Sequence, residues 1–331
     1  MDTQSIAISA KAPVPLVSDR YELLARIASL YFEDGLSQAE IAAQTGYSRS
    51  MISRLLTEAR EQHIVEIRIN HPLARNRELE QSLEQVLKLQ GVQVLTRGAL
   101  NYSTMMRRIG TLGARMTEDL LHDHSVVGVS WGTAVWEVVN AARGGAWTDV
   151  QIVQMIGSLG TPNPDIDGPE LARRLARIFG GRYSMLPTPF FVDARQTRDA
   201  LLGDLKIKRI LAQYKKIELA LVGVGTVDSE RSSILRAGYV SEQELEDLRA
   251  LGVVGDVCGI HVDLDGACDF PIVDDRRLGI NVEELRAIPV KLGIAGGQYK
   301  AKAIVGAARA GLINWLVTDE VAALGALQLA A

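Results

Sequence analysis

Residues 37–61 constrain this chain more than any other segment, because they predict two short helices joined by a tight turn. Ser37 can cap the first helix, and Glu40 follows at the reciprocal capping-box spacing. Gly46 permits the left-handed backbone that ends a helix abruptly, and Ser48 can cap the second helix. The segment therefore has the sequence features of a helix-turn-helix.

The second of these helices has one apolar face and one polar face. Residues at i, i+3, i+4 and i+7 predict a buried stripe, namely Ile52, Leu55, Leu56 and Ala59. Short hydroxyls and arginines lie off that stripe, where they suit phosphates and base edges in the DNA major groove. The candidate DNA-contacting residues are Gln38, Ser48, Arg49, Ser50, Ser53 and Arg54. An ordinary helical hairpin with a solvated polar face would show the same spacing.

The flanking segments favour DNA binding over that simpler alternative. Residues 21–32 predict an amphipathic helix, which would complete a three-helix unit. Residues 64–70 alternate between apolar and polar side chains, as the short strand of a wing does. We therefore expect a winged helix-turn-helix domain over residues 19–72, preceded by a mobile tail over residues 1–18.

Composition narrows the class of protein. The chain has 331 residues and 47% of them are hydrophobic, so it can bury a large core, and its length suggests two domains. No window approaches about 18 uninterrupted apolar residues, and the N-terminal segment lacks the pattern of a secretory signal. Cys258 and Cys268 are too few for a disulfide framework. We expect a cytoplasmic protein without a membrane span.

The charge balance limits how the chain can bind DNA. Its formal net charge is −4, and the first 75 residues are nearly neutral. Such a balance argues against non-specific coating of DNA, in which many phosphate contacts supply the affinity. A specific dimeric reader needs only a local cationic face and two copies of it, so specific binding remains compatible with this charge.

Residues 73–90 predict a charged linker helix. Leu79, Leu83 and Val86 form a short apolar seam in it, which stops at Gln90. The run is too short to establish a coiled coil. Docking of this helix on the second domain is the favoured interpretation, and self-association through the seam is the alternative.

From residue 91 onward, short apolar runs alternate with helical patterns. The candidate strands are Val92–Leu95, Val126–Val129, Val150–Met155, Leu219–Val222, Gly259–Val262, Pro289–Gly293 and Asn314–Thr318. The candidate helices lie near Met105–Leu121, Ala134–Ala142, Pro169–Phe179, Asp204–Tyr214, Glu242–Ala250, Lys300–Ala310 and Glu320–Leu327. Mostly continuous apolar strands indicate burial on both faces. The alternation with helices predicts a parallel sheet in a Rossmann-like layered α/β domain over residues 91–331.

Ligands of such sheets bind beyond the carboxyl ends of the strands. Four segments are candidates for that edge, namely Ser130–Thr133, Gly223–Asp228, Gly255–Cys258 and Ala295–Lys300. Hydroxyls and free backbone N–H groups at a helix start suit an anion, which Lys300 could also reach, and Asp256 could bind sugar hydroxyls. Taken singly, each segment is more simply a turn, a cap or a solvated helix start. Together they predict a small polar anionic ligand.

Other site types find little support in the sequence. It contains neither a GxxxxGK[ST] loop nor a GxGxxG with an acid downstream, so no nucleotide cofactor is expected. The five histidines are scattered and no cysteine cluster lies near them, so no metal site is expected. Asp256 is the one acid that we place at the ligand edge, and we assign no catalytic residue. A sugar-phosphate isomerase with a helical appendage remains the alternative.

The chain resembles bacterial transcriptional regulators of the SorC type, also called DeoR-like sugar-binding regulators. The resemblance runs from about residue 21 to 327 and is carried by the helix-turn-helix and by GVSWGTAV, VGVGTVD, GYVSEQEL, VGDVCG and IPVKLGIAGGQYKAKAIVGAARAGLINWLVTDE. It implies an effector domain similar to sugar-phosphate isomerases. It also implies a sugar, polyol or sugar-phosphate effector, and dimers or tetramers on paired sites in the operator DNA of a carbohydrate-catabolic operon.

The same resemblance implies a set of effector-binding residues. They are Ser130, Trp131, Gly132, Thr133, Ala134, Gly225, Thr226, Asp256, Cys258, Gly297 and Lys300. By analogy Lys300 would contact a phosphate and Asp256 the hydroxyls. Trp131 and Cys258 depart from the family pattern as bulky or reactive groups, which leaves the identity of the effector open. A Schiff base with the Lys300 amine would be a second way to sense a sugar.

Overall fold

A computed structural model describes residues 17–65, 73–160 and 164–330 and divides into two compact units, residues 1–72 and 73–331. The first unit contains three helices, α1 (Val17–Phe32), α2 (Gln38–Thr45) and α3 (Arg49–Glu61). Helix α1 begins at Val17, within the last two residues of the segment 1–18 that the sequence predicts as a tail. The predicted wing strand lies mostly at residues 66–70, which are outside the described residues.

The helix-turn-helix forms as its capping residues predict. Ser37 and Glu40 complete both halves of a capping box at the start of α2. Gly46 ends that helix with a φ of 76°, and the Ser48 hydroxyl accepts a hydrogen bond from the Met51 backbone N–H. The predicted stripe is the core of the unit, since Ile52 and Leu55 are fully buried there with residues of α1 and α2. Burial of this stripe, worth about 1.5–3 kcal/mol per large apolar side chain, holds three short helices together.

The second unit alternates helices and strands. Its strands are β1 (Gly91–Leu95), β2 (Val126–Val129), β3 (Gln151–Gln154), β4 (Arg182–Ser184), β5 (Leu219–Gly223), β6 (Val253–Val257), β7 (Ile260–Asp263), β8 (Val290–Ile294) and β9 (Trp315–Asp319). Its helices are α4 (Arg77–Leu87), α5 (Tyr102–Leu120), α6 (Thr133–Ala141), α7 (Gly168–Ile178), α8 (Arg195–Gly203), α9 (Leu205–Leu211), α10 (Ser233–Arg236), α11 (Glu242–Ala250), α12 (Pro271–Asp274), α13 (Val282–Ala287), α14 (Ala301–Arg309) and α15 (Glu320–Ala330). Single 3₁₀ turns lie at Pro164–Ile166, Ala212–Lys216 and Gln298–Lys300.

Seven strands form one sheet in the order β1-β9-β8-β5-β2-β3-β4, and every pair in it is parallel. The predicted parallel layered α/β fold is therefore confirmed. Strand β4 was not predicted, because it is a short edge strand and its side chains are largely exposed. Helix α8 was also missed, and it contains no buried residue that would mark it as part of the core.

The prediction that Gly259–Val262 belongs to the main sheet was wrong. Strand β7 pairs instead with β6 in a separate antiparallel hairpin. The segment Gly255–Cys258, expected to be a loop at the sheet edge, is the end of β6 and the first turn residue. A short apolar run does not distinguish a hairpin strand from a strand of a parallel sheet.

The β6–β7 hairpin is attached to the loop that follows β5. Val224 and Val257 form an isolated antiparallel bridge, and the Gly225 N–H donates to the Asp256 carbonyl oxygen at 2.7 Å. On its other side the hairpin packs on α14, where a Cβ at Gly255 would lie 2.4 Å from the Ala303 Cβ. These contacts hold Asp256 at the carboxyl end of the sheet although it lies outside the sheet.

Helix α4 packs on β1 and α15 of the second unit. Glu80 in α4 is buried, accepts a hydrogen bond from the Val94 backbone N–H at 2.9 Å and pairs with Arg75 at 2.7 Å. Leu83 is fully buried, whereas Val86 is exposed. Across the described parts of the chain, every helix is too short or too polar to span a bilayer.

Candidate functional site

A cavity of about 870 Å³ lies at the carboxyl ends of the strands in the second unit. Ten of the eleven residues predicted to bind an effector line it, namely Ser130, Trp131, Gly132, Thr133, Ala134, Gly225, Asp256, Cys258, Gly297 and Lys300. Thr226 does not line the cavity. Its side chain is buried, and its hydroxyl accepts a hydrogen bond from the Asp228 backbone N–H at 3.3 Å.

Lys300 places an ammonium group in the cavity wall. Its Nζ donates to the Val224 carbonyl oxygen at 2.6 Å, which ties the side chain to the loop after β5. Burial lowers the pKa of Lys300 to about 8, while the carboxylate of Asp256 acts to raise this pKa and the nearby Arg236 lowers it further. At pH 7 the amine is therefore mostly protonated, and a bound anion would meet a partly desolvated positive charge.

Asp256 lies against the backbone of two glycines. Its carboxylate accepts a hydrogen bond from the Gly259 N–H at 3.0 Å. A Cβ at Gly225 would lie 1.7 Å from the Asp256 Oδ1, so only glycine leaves room for the carboxylate in this position. The close approach of Gly225 therefore serves to place the side chain of Asp256.

Cys258 and Gly259 form the two-residue turn of the hairpin. Both have positive φ, at 55° and 70°, as a type I′ turn requires. The Cys258 thiol is buried, and burial raises its pKa to about 12. A neutral thiol is a poor nucleophile at physiological pH, so its burial argues against Cys258 acting as a reactive group.

The start of α6 is open towards the cavity. Gly132 precedes the helix with a φ of 114°, and none of the described side chains caps the helix start. The buried Ser130 hydroxyl accepts a hydrogen bond from the Gly223 N–H at 3.4 Å, which fixes the approach of the loop. The backbone N–H groups of the first helical turn are therefore suited to an anionic group of a ligand.

Gly297 is held by a buried carboxylate at the end of β9. The Gly297 N–H donates to Asp319 Oδ1 at 2.6 Å, and Asp319 is fully buried. Arg97 pairs with the same carboxylate at 3.6 Å. This arrangement fixes the glycine loop that leads into Lys300.

Trp131 forms an aromatic part of the wall. Its ring packs edge-on against Phe190, with 5.6 Å between the ring centroids. Its indole Nε1 is buried and has no hydrogen-bond partner within the described residues. The indole of Trp131 therefore occupies the cavity wall beside Ser130 and Gly132, with Phe190 packed behind it.

Sequence reasoning missed several residues that line the cavity, namely Arg97, Tyr102, Met106, Trp136, Glu137, Arg231, Arg236 and Val321, whereas Tyr299 lies within the predicted segment Ala295–Lys300. Arg97 and Val321 follow β1 and β9, whose carboxyl ends reach the same edge as the four predicted segments. Their position after strands that end at this edge could have identified Arg97 and Val321 as candidate site residues. Tyr299 is stacked under the guanidinium of Arg231 at 4.7 Å and shares a hydrogen bond with the Tyr102 hydroxyl at 2.5 Å.

Glu137 adds a second carboxyl group to the cavity. It lies on α6, one turn after Thr133. Burial raises its pKa to about 7, against the opposing charge of Arg107. This carboxyl group therefore exists in both protonation states near neutral pH.

The candidate DNA-contacting residues share one exposed face of the first unit. Arg49, Ser50, Ser53 and Arg54 are exposed on α3, and Gln38 is partly exposed at the start of α2. The Ser48 hydroxyl is already engaged, because it caps α3 and lies 3.0 Å from the Ser50 hydroxyl. A two-point ion pair between Arg20 of α1 and Glu58, at 2.5 and 3.1 Å, braces α3 outside this face.

Comparison with known proteins finds relatives that match nearly the whole length of the chain. Residues 71–328 match the Sugar-bind family model, described as "Putative sugar-binding domain". The chain is 32% identical over 312 residues to the transcriptional regulator LsrR of Enterobacter sp. (strain 638), and the alignment covers 93% of this chain and 94% of the relative. It is also 32% identical over 307 residues to the sorbitol operon regulator of Klebsiella pneumoniae, covering 91% of this chain and 96% of the relative.

A solved structure matches both units of the chain. The crystal structure of the full-length sorbitol operon regulator SorC from Klebsiella pneumoniae superposes with a TM-score of 0.73 at 31% identity, covering 94% of this chain and 98% of that one. The family-model match, the identities and this superposition agree with one another. The chain belongs to the SorC family of transcriptional regulators, which carry a sugar-binding domain.

Proposed function

We propose that this protein is a cytoplasmic, effector-responsive regulator of a carbohydrate-catabolic operon. One observation carries the proposal, the convergence of an ammonium, a carboxylate and an uncapped helix start on a single cavity. These groups suit a small carbohydrate, a polyol or a phosphorylated sugar. Lys300 and the first turn of α6 would bind the anionic group, and Asp256 would accept hydrogen bonds from hydroxyls.

The exposed face of α3 would contact the operator. Arg49 and Arg54 would bind phosphates or guanine edges, and Ser50 and Ser53 would position the helix in the major groove. A dimer or tetramer would address paired half-sites about 34–36 Å apart, or multiples of that spacing. Two copies of a local cationic face would supply the affinity that the overall charge of −4 does not.

Effector binding would act by shifting the population of two arrangements of the oligomer. A ligand shifts such an equilibrium only if it binds one arrangement more tightly than the other. The cavity wall combines segments from five parallel strands and the hairpin, so a bound sugar would favour the arrangement in which these segments close around it. Gel-shift titrations of an operator fragment with and without candidate sugars test this coupling.

Arg54→Ala should weaken operator binding about tenfold, because the exposed guanidinium would contact DNA without supporting the fold. The measurement is a gel shift at fixed salt with a promoter fragment from the operon beside the gene. Arg26→Ala is the matched control, since it removes the same charge from an exposed position on α1. Equal affinities of the Arg54 variant and the wild type would remove Arg54 from the interface.

We propose a binding role for the cavity rather than catalysis, although two acids line it. An isomerase needs an acid or base close to the reacting carbon of its substrate, and Glu137 has a pKa suited to that chemistry. The named relatives are transcriptional regulators, which favours sensing. Turnover of aldose and ketose phosphates by the purified chain would refute the binding-only role.

A further inference from the structure

The cavity extends well beyond the residues expected to bind a sugar. Its lining includes segments that follow β1, β9, β8, β5 and β2, five neighbours in the sheet. Strands lie about 4.8 Å apart, so this row spans about 19 Å between its outer members. The cavity volume of about 870 Å³ is near the upper end of ligand pockets, which run from about 300 to 1,000 Å³. A single sugar ring at Asp256 and Lys300 would leave much of this space empty.

The additional space differs in chemistry from the sugar end. Its lining includes Tyr102, Met106, Trp136, Tyr299 and Val321, which we call the aromatic compartment, together with the charged residues Arg97 and Glu137. Tyr102 and Met106 lie in the first two turns of α5 and Trp136 in the first turn of α6, while Tyr299 and Val321 follow β8 and β9. The sugar end contains instead Asp256, Lys300 and backbone N–H groups, with Trp131 as its aromatic member.

Tyr299 stands between the two ends of the cavity. Arg231 covers its ring at 4.7 Å, and the Lys300 Nζ lies 5.6 Å from the ring centroid. On the other side its hydroxyl is hydrogen-bonded to the Tyr102 hydroxyl at 2.5 Å, with 6.2 Å between the two ring centroids. Three aromatic side chains and a methionine around one space favour a flat ring, and Arg97 and Glu137 could hydrogen-bond to polar atoms at the edge of that ring.

We infer that the effector is a two-ring compound, a sugar or sugar phosphate joined at its anomeric carbon to a second ring that packs in the aromatic compartment. This inference rests on the proposed function, because it takes the sugar end of the cavity as the site of the first ring. It adds the chemical class of the ligand. Tyr102, Met106 and Trp136 would then determine which glycosides the protein senses.

The test compares matched pairs of compounds by calorimetry on the full-length chain. The single-ring members are glucose, galactose and ribose 5-phosphate, and their two-ring partners are phenyl glucoside, phenyl galactoside and uridine 5′-monophosphate. In the pair that fits the sugar end, the two-ring member should bind at least about fivefold more tightly, since ring packing of this kind contributes about that factor. Tyr102→Ala should remove this advantage and leave the affinity for the single-ring member of the pair unchanged.

Tyr183→Ala is the matched control. Tyr102 and Tyr183 are 45% and 41% exposed, so neither ring supports the core, and Tyr183 lies on β4 outside the cavity lining. Equal affinities within every pair, or an advantage that survives Tyr102→Ala, would overturn the two-ring inference. If a single-ring sugar or sugar phosphate still bound, and its binding depended on Lys300, the proposed effector site would stand. Failure of all six compounds to bind would overturn both proposals.

Discussion

Lys300→Ala should weaken binding of an anionic effector by about ten- to a hundredfold and leave operator binding unchanged. A charge-assisted hydrogen bond contributes roughly 1.5–3 kcal/mol, and Lys300 presents its charge from a partly desolvated wall, where solvent screens it less. The measurement is calorimetry with a sugar phosphate chosen by thermal-shift screening of the wild type against sugars, polyols and their phosphates. Undiminished effector binding by the variant would end this assignment.

The same residue predicts a pH dependence of effector binding. The pKa of Lys300 is about 8, so its charge is largely present at pH 7 and is lost as the pH rises through 8. A phosphate ester is already a dianion above about pH 6, so the groups that change between pH 7 and pH 9 are Lys300 and Glu137, whose pKa is about 7. Loss of the Lys300 charge and gain of the Glu137 charge both weaken binding of a dianion, and above pH 8 the change is mainly that of Lys300. The charged groups acting on Lys300 are Asp256 and Asp228, which favour its protonation, and Arg236, which opposes it. The affinity should therefore fall about tenfold between pH 7 and pH 9.

Lys300→Arg provides the control for this pH profile. A guanidinium keeps its charge throughout the range, so the fall above pH 8 should disappear even if the affinity itself decreases. A wild-type affinity that stays constant from pH 7 to pH 9.5 would show that the charge of Lys300 does not bind the effector.

The parallel sheet could be predicted from the sequence because its central strands are buried on both faces. Leu219–Val222, for example, is a continuous apolar run that is buried throughout. The same reasoning failed at β4, where Tyr183 is exposed and only three residues pair with the sheet edge. It also failed at β6, because Gly255 and Asp256 make the strand resemble a loop. Whether such a segment forms a strand depends on the strand that it pairs with, and a single sequence does not reveal that partner.

The candidate site was predictable to the extent that it depends on strand ends. Three of the four predicted segments meet at one edge because parallel strands end there, whereas Gly255–Cys258 reaches that edge through the β6–β7 hairpin. Residues that reach the cavity from within helices, such as Met106 and Glu137, carry no such signal. The hydroxyl of Thr226 shows the opposite error, since a residue in the correct loop turns away to bind the backbone of Asp228. Side-chain direction within a loop depends on local hydrogen bonds that the segment pattern does not specify.

Gly225→Ala should reduce effector affinity by about thirty- to a hundredfold, although it adds a single methyl group. That methyl would lie 1.7 Å from the Asp256 Oδ1, far closer than any contact that atoms tolerate, so the carboxylate or the hairpin must move. The hairpin is held by the Gly225–Asp256 backbone hydrogen bond and by the packing of Gly255 against Ala303. The side chain of Asp256 is therefore displaced first, and its hydrogen bonds to the effector, about 2–3 kcal/mol in total, are lost.

A double-mutant cycle separates this mechanism from general destabilisation. If Gly225→Ala acts by displacing Asp256, it should cost little further affinity in a chain that already carries Asp256→Ala, because both changes remove the same contact. Gly203→Ala is the control for adding a methyl group, since a Cβ there meets no atom within 4 Å. Additive losses in the double variant would show that Gly225 acts independently of Asp256. An unaltered affinity in the single Gly225 variant would show that the position of this carboxylate does not determine effector binding.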